Sequence, residues 1–108
     1  MLEDISGVLI SIPLVATGAT TVVAGVSGQL IYVYEVIGSN SADATITFTG
    51  NNGSSFETEV VKADQGLTSS AIANRQGVPI YKLKNGESFV VTPSAGTFTG
   101  RITYGMRS

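Results

Sequence analysis

The sequence predicts an all-β chain, a two-sheet antiparallel sandwich of jelly-roll type with an extended N-terminal arm or strand, and three observations carry that expectation. The first is the run Leu30-Ile31-Tyr32-Val33-Tyr34-Glu35-Val36-Ile37, β-branched and aromatic almost throughout, fed by the turn Gly25-Val26-Ser27-Gly28. The second is a clean period-two alternation of apolar and polar residues from Ala44 to Thr49, and again from Thr97 to Tyr104. The third is a succession of turn signals at roughly ten-residue spacing, which marks out about eight or nine short strands. There is no heptad pattern, internal repeat or linker, so residues 1–16 are expected to form an arm or edge strand and 17–108 one sandwich domain.

Taken in order, Met1-Leu2-Glu3-Asp4 leads into the apolar run Val8 to Ala16. Its acidic flank and Pro13 argue against a signal peptide, and it falls short of the roughly 18 residues of a membrane span. With period two, Val8, Ile10, Ile12 and Leu14 line one face, and Pro13 suits an edge position. A short strand from Thr20 to Ala24 precedes the central run. There, unbroken alternation places Leu30, Tyr32, Tyr34 and Val36 on one face and Ile31, Val33 and Ile37 on the other, interrupted by Glu35. A strand apolar on both faces needs cover on both, from the opposing sheet and from a neighbouring subunit. Val8, Ile10, Ile12, Leu14, Tyr32 and Tyr34 are therefore the expected interface residues.

Ala44, Ile46 and Phe48 are expected inward, with Thr45, Thr47 and Thr49 outward. Asn52-Gly53 predicts a hairpin through a type I′ turn, where both central residues need positive φ. The return strand, 54–63, carries Phe56, Thr58 and Val60 on one side and Glu57, Glu59 and Val61 on the other. Residues 67–74 read as a strand of weak pattern, followed by strands at 78–83 and 87–92 around Asn85-Gly86. In the last strand, Phe98, Gly100, Ile102 and Tyr104 are expected inward and Thr97, Thr99, Arg101 and Thr103 outward.

Charged residues make up 13% of the 108 positions, about half the usual share, and 13 positions are glycine. A weakly charged, Thr- and Ser-rich surface suits extended protein contacts. Six scattered basic residues against eight acidic ones leave no electrostatic footprint for nucleic acid. Without His or Cys, the usual near-neutral base, the imidazole ligand and the thiolate nucleophile are all missing. No cofactor, metal or catalytic residue is expected. Glu57 and Glu59 share a strand face at a separation that acid/base chemistry could use, but they read more simply as a solvated, solubilising face. Lys62, Lys82 and Lys84 are weak partners for a serine nucleophile, and Ser39, Asn40 and Asp43 would make a poor calcium loop with a single carboxylate. Tyr32, Tyr34, Tyr81 and Tyr104 are the candidate platforms for a carbohydrate-binding or adhesin module, the alternative from a different functional class.

The segment Thr21 to Val33, the strand Ala44-Thr45-Ile46-Thr47-Phe48, and Gly86-Glu87-Ser88-Phe89-Val90-Val91 through Gly100-Arg101-Ile102-Thr103-Tyr104 resemble the small β-sandwich structural proteins of tailed bacteriophages, of the capsid decoration or cement type. The resemblance spans Val22 to Tyr104. It implies a non-enzymatic virion protein, made in the host cytoplasm and carried on the capsid exterior, that self-associates, often as a trimer, and binds the major capsid protein. It implies no nucleic-acid or membrane partner. An apolar arm can serve such a protein by adding a strand to a neighbour's exposed edge.

Overall fold

The structure is a computed structural model that describes residues 9–64, 66–70 and 79–107, the backbone alone for 66–70. Its strands are β1 (Ile10–Ala16), β2 (Thr20–Val23), β3 (Leu30–Asn40), β4 (Ala44–Gly50), β5 (Ser55–Val61), β6 (Gly66–Ser70), β7 (Tyr81–Lys82), β8 (Phe89–Pro93) and β9 (Phe98–Arg107). They form two antiparallel sheets. The first runs β1-β9-β3-β6, with the short β7 following β6 along the same edge of β3; the second runs β2-β8-β4-β5. Val8, residues 71–74 and Val78 lie outside the described residues.

Alternation dictates what each sheet turns inward. Leu14 and Ala16 from β1, Ile31, Val33 and Val36 from β3, and Phe98 and Ile102 from β9 meet Val23, Ile46, Phe48, Val61, Phe89 and Val91 of the second sheet, with Tyr81 and Leu83 closing one side. The rings of Phe48, Phe56, Tyr81 and Phe89 stack on one another, with Phe56 and Tyr81 centroids 4.7 Å apart. In β9 the expected division holds, and Gly100 sits against Gly38 of β3 because backbone occupies the space a Cβ would need.

Two expectations are corrected. The central strand does not alternate without a break. Its pairing with β9 slips between Val33 and Glu35, a β-bulge at Tyr34 that resets the parity. Ile31, Val33 and Val36 therefore all point inward, whereas Leu30, Tyr32, Glu35 and Ile37 share the outer face with Arg107, Gly105, Thr103 and Arg101.

The Asn-Gly turns are not of type I′. Gly53 and Gly86 have φ of 95° and 74°, while Asp64 is the sole non-glycine with positive φ among the described residues, so neither Asn52 nor Asn85 takes the left-handed conformation. The β4–β5 connection instead closes through Gly50 N–H donating to the Ser54 carbonyl, with a register shift after Phe48 that admits the extra residue Phe56. Asn51 and Asn52 use their backbone and side chains elsewhere, as described below.

In β5, Glu57 remains exposed and Glu59 half-exposed, as a solvated position requires, although neither stands on the outer face of the sheet. Their register partners are Phe48 and Ile46, the inward residues of β4, so these carboxylates lie on the core side of an edge strand and escape at the open rim of the sandwich. Val60, on the other side, is 82% exposed.

Candidate interaction surfaces

One carboxylate is closed off from solvent beneath the turns at one end of the molecule. Glu87, expected only as the start of a strand, is 1% exposed. Its Oε1 accepts from Ser54 Oγ–H at 2.6 Å and from the Lys84 N–H at 2.9 Å; its Oε2 accepts from the N–H groups of Asn52 at 2.9 Å and Ser54 at 3.0 Å. Burial raises its pKa, but the four hydrogen bonds outweigh burial and bring it down to about 2. Around it the loops interlock: Asn51 and Ser88 exchange hydrogen bonds, Ser88 Oγ accepts from the Gly25 N–H, and Gly86 N–H donates to the Gln29 carbonyl. A carboxylate that accepts four hydrogen bonds and stays ionised down to about pH 2 is a staple between turns rather than a proton carrier near neutrality. A buried acid flanked by turn donors has no periodic signature, and only the Lys84-Asn85-Gly86-Glu87 turn hinted at it.

The opposite end is closed in the same manner without a buried charge. Asn40 is 1% exposed, and its Nδ2 donates to the carbonyls of Ala42 and Ala95 at 2.8 Å each. Ser41 and Thr97 bond reciprocally, and Asp43 accepts from the Ala63 N–H while standing 3.8 Å from Lys62 Nζ. Asn40 and Asp43 are thus engaged in binding loops together, and no cluster of three or more acids, His or Cys able to hold a metal ion occurs among the described residues. Glu57 accepts a hydrogen bond from the Tyr81 hydroxyl across the rim between the two sheets. Tyr81 is 4% exposed and stacked, so it is no sugar platform.

Asn40 Oδ1 is the one buried side-chain oxygen among the described residues without a hydrogen-bond partner, and the broad surfaces left for interaction are the outer faces. On the second sheet, register places Thr21, Val90 and Thr92, Thr45, Thr47 and Thr49, and Thr58 and Val60 outward, a β-branched face without a single charge. On the first sheet, Ser11, Pro13 and Val15 of β1 continue into Thr99, Arg101 and Thr103 of β9 and Glu35 and Ile37 of β3. Beyond them stand Leu30, Tyr32, Lys82 and Arg107, with the two cations each 5.9 Å from the Tyr32 ring centroid.

The expected interface residues divide accordingly. Tyr32 is on the outer face and half-buried. Ile10 is 40% exposed at the strand end, whereas Ile12 packs against the core and Leu14 is 1% exposed. Tyr34 is 2% exposed. Leu14 and Tyr34 are therefore corrected: β1 turns its apolar side onto its own sandwich, and the bulge removes Tyr34 from the Tyr32 face. Tyr104 also packs inward, which leaves Tyr32 as the one outward-facing tyrosine of the four. Compared with family models, curated proteins and solved structures, the chain matches none.

Proposed function

We propose that this protein is a non-enzymatic structural component of a bacteriophage virion, a capsid decoration protein that self-associates and stiffens the head by added buried interface. The single observation that carries the reading is the outer surface of the second sheet, eight outward β-branched positions with no charge, which offers broad, low-desolvation contact and no chemistry. The engagement of Glu57, Glu87, Asn40 and Asp43 in internal hydrogen bonds supports it further.

The jelly-roll wind belongs to the same proposal. It is supported by the orders β1-β9-β3-β6 and β2-β8-β4-β5, which a long hairpin rolled on itself would produce with β7 added in the connection from β6 to β8, a wind that recurs in viral capsid proteins and in lectins alike. An arm reaching a capsid neighbour would have to begin ahead of β1, since Ile10–Ala16 is paired with β9 along its whole length. Immunogold labelling of particles from a lysate of the encoding cells tests the location: label on heads is expected, and particles without label overturn the reading.

A further inference from the structure

Cations and acids are unevenly divided between surfaces among the described residues. Among the described residues, the outer face of the first sheet carries Arg101, Lys82 and Arg107 against the single acid Glu35. Arg101 is exposed at the centre of that face, between Pro13 and Ile37 in register, and the groups it donates to are neutral, the Ser11 hydroxyl and carbonyl at 3.2 Å. The remaining solvent-accessible acids among the described residues, Asp43, Glu57, Glu59 and Asp64, lie along β5 and at the turns flanking its far end, against Lys62 at that end and Lys84, whose Nζ donates to the Asn52 carbonyl, at the other. β5 is the edge strand of the second sheet, and it carries Val60, 82% exposed, beside Glu59.

We infer that the acidic β5 edge of one copy docks on the cationic outer face of the first sheet of the next, in a head-to-tail contact. This rests on the self-association proposed above and names its surfaces. The occupant is a second copy because both halves of the complementary pair are present on one chain and on different elements. A single patch pairing with itself across a two-fold axis would set Arg101 against like charge, whereas head-to-tail contact sets opposite charges together at every junction and closes as a ring when the rotation permits. Apolar contact contributes affinity: Val60 on one side, and Val15, 59% exposed, Pro13, Ile37 and Tyr32 on the other. Each exposed ion pair adds a modest share, but several at one junction set orientation and association rate and supply a salt-sensitive part of the affinity, and reversing one charge turns attraction into repulsion.

Light scattering of the full chain tests this. Arg101→Glu and Glu59→Lys, both at exposed or rim positions, should each weaken association about tenfold or more, and the double variant should recover it. Raising NaCl to about 1 M should shift the wild-type protein towards monomer, a readout independent of any variant's folding. Oligomers indifferent to salt and to both substitutions overturn this contact while leaving self-association standing. A wild-type protein monomeric at every concentration overturns both.

Discussion

A Cβ placed on Gly50 would stand 2.2 Å from the carboxyl carbon of Glu87, so the last residue of β4 must be glycine for that carboxylate to lie where it does. The two positions are one feature: a missing side chain on the hairpin opens the slot into which an acid from another turn inserts. Gly50→Ala is expected to lower stability by about 1–3 kcal/mol, because the acid is held by fixed donors and cannot swing aside. Denaturant unfolding monitored by circular dichroism measures the loss. A midpoint equal to that of the wild type would show the slot to be slack.

Glu87→Gln should cost more, about 2–4 kcal/mol, because one acceptor oxygen becomes an NH2 group facing N–H donors. The pH dependence has a definite sign. The folded pKa, about 2, is depressed below the ordinary 4.5, so the contribution is complete above about 4.5 and is lost as pH falls through about 2. It amounts to roughly 3 kcal/mol. Between pH 5 and 2 the stability of the wild-type protein should fall more steeply than that of Glu87→Gln, and parallel slopes would remove this carboxylate from the acid response.

Gly100→Ala is expected to be the most damaging of the glycine changes. A Cβ there would meet the Ile37 carbonyl oxygen at 1.8 Å and Gly38 Cα at 2.5 Å, backbone that cannot yield without parting β3 from β9. Failure to fold, or a loss beyond about 4 kcal/mol, is the expected result. Soluble expression and the thermal transition report it.

Tyr34→Asp should unfold the chain rather than dissociate an oligomer, since Tyr34 is buried within the monomer. Tyr81→Phe keeps the stack with Phe56 and removes the hydrogen bond to Glu57, a loss of about 1 kcal/mol, whereas Tyr81→Ala empties the stack and costs about 3–5 kcal/mol. Near-equal losses for the two variants would show that the hydrogen bond, not the ring, holds the rim.

Deleting residues 1–16 should abolish the cooperative thermal transition. It removes Leu14 and Ala16 from the core and bares the edge of β9 along seven register pairs. A truncated chain that melts at the wild-type temperature would restore residues 10–16 to the role of a dispensable arm.

The sequence by itself determined the class of fold and most of the inward-facing set. In β4 and β9, period-two alternation is unbroken, and Ile46, Phe48, Phe98 and Ile102 are buried where it put them, because side-chain direction along a regular strand is a local property. Only the tertiary structure decided the rest. The bulge at Tyr34 exists because β9 offers one residue where β3 presents two, and no property of Tyr34 alone announces that. Glu57 and Glu59 stay in contact with solvent, but only the register with Phe48 and Ile46 of β4 shows that they do so at the rim of the sandwich and not on the outer face of the sheet. Glu87 becomes a buried anion because donors from Asn52, Ser54 and Lys84 converge on it, and convergence of turns distant in sequence is a property of the packed chain. The grouping of Arg101, Lys82 and Arg107 on one face is of the same kind, since strand order and register bring together cations that are scattered along the sequence.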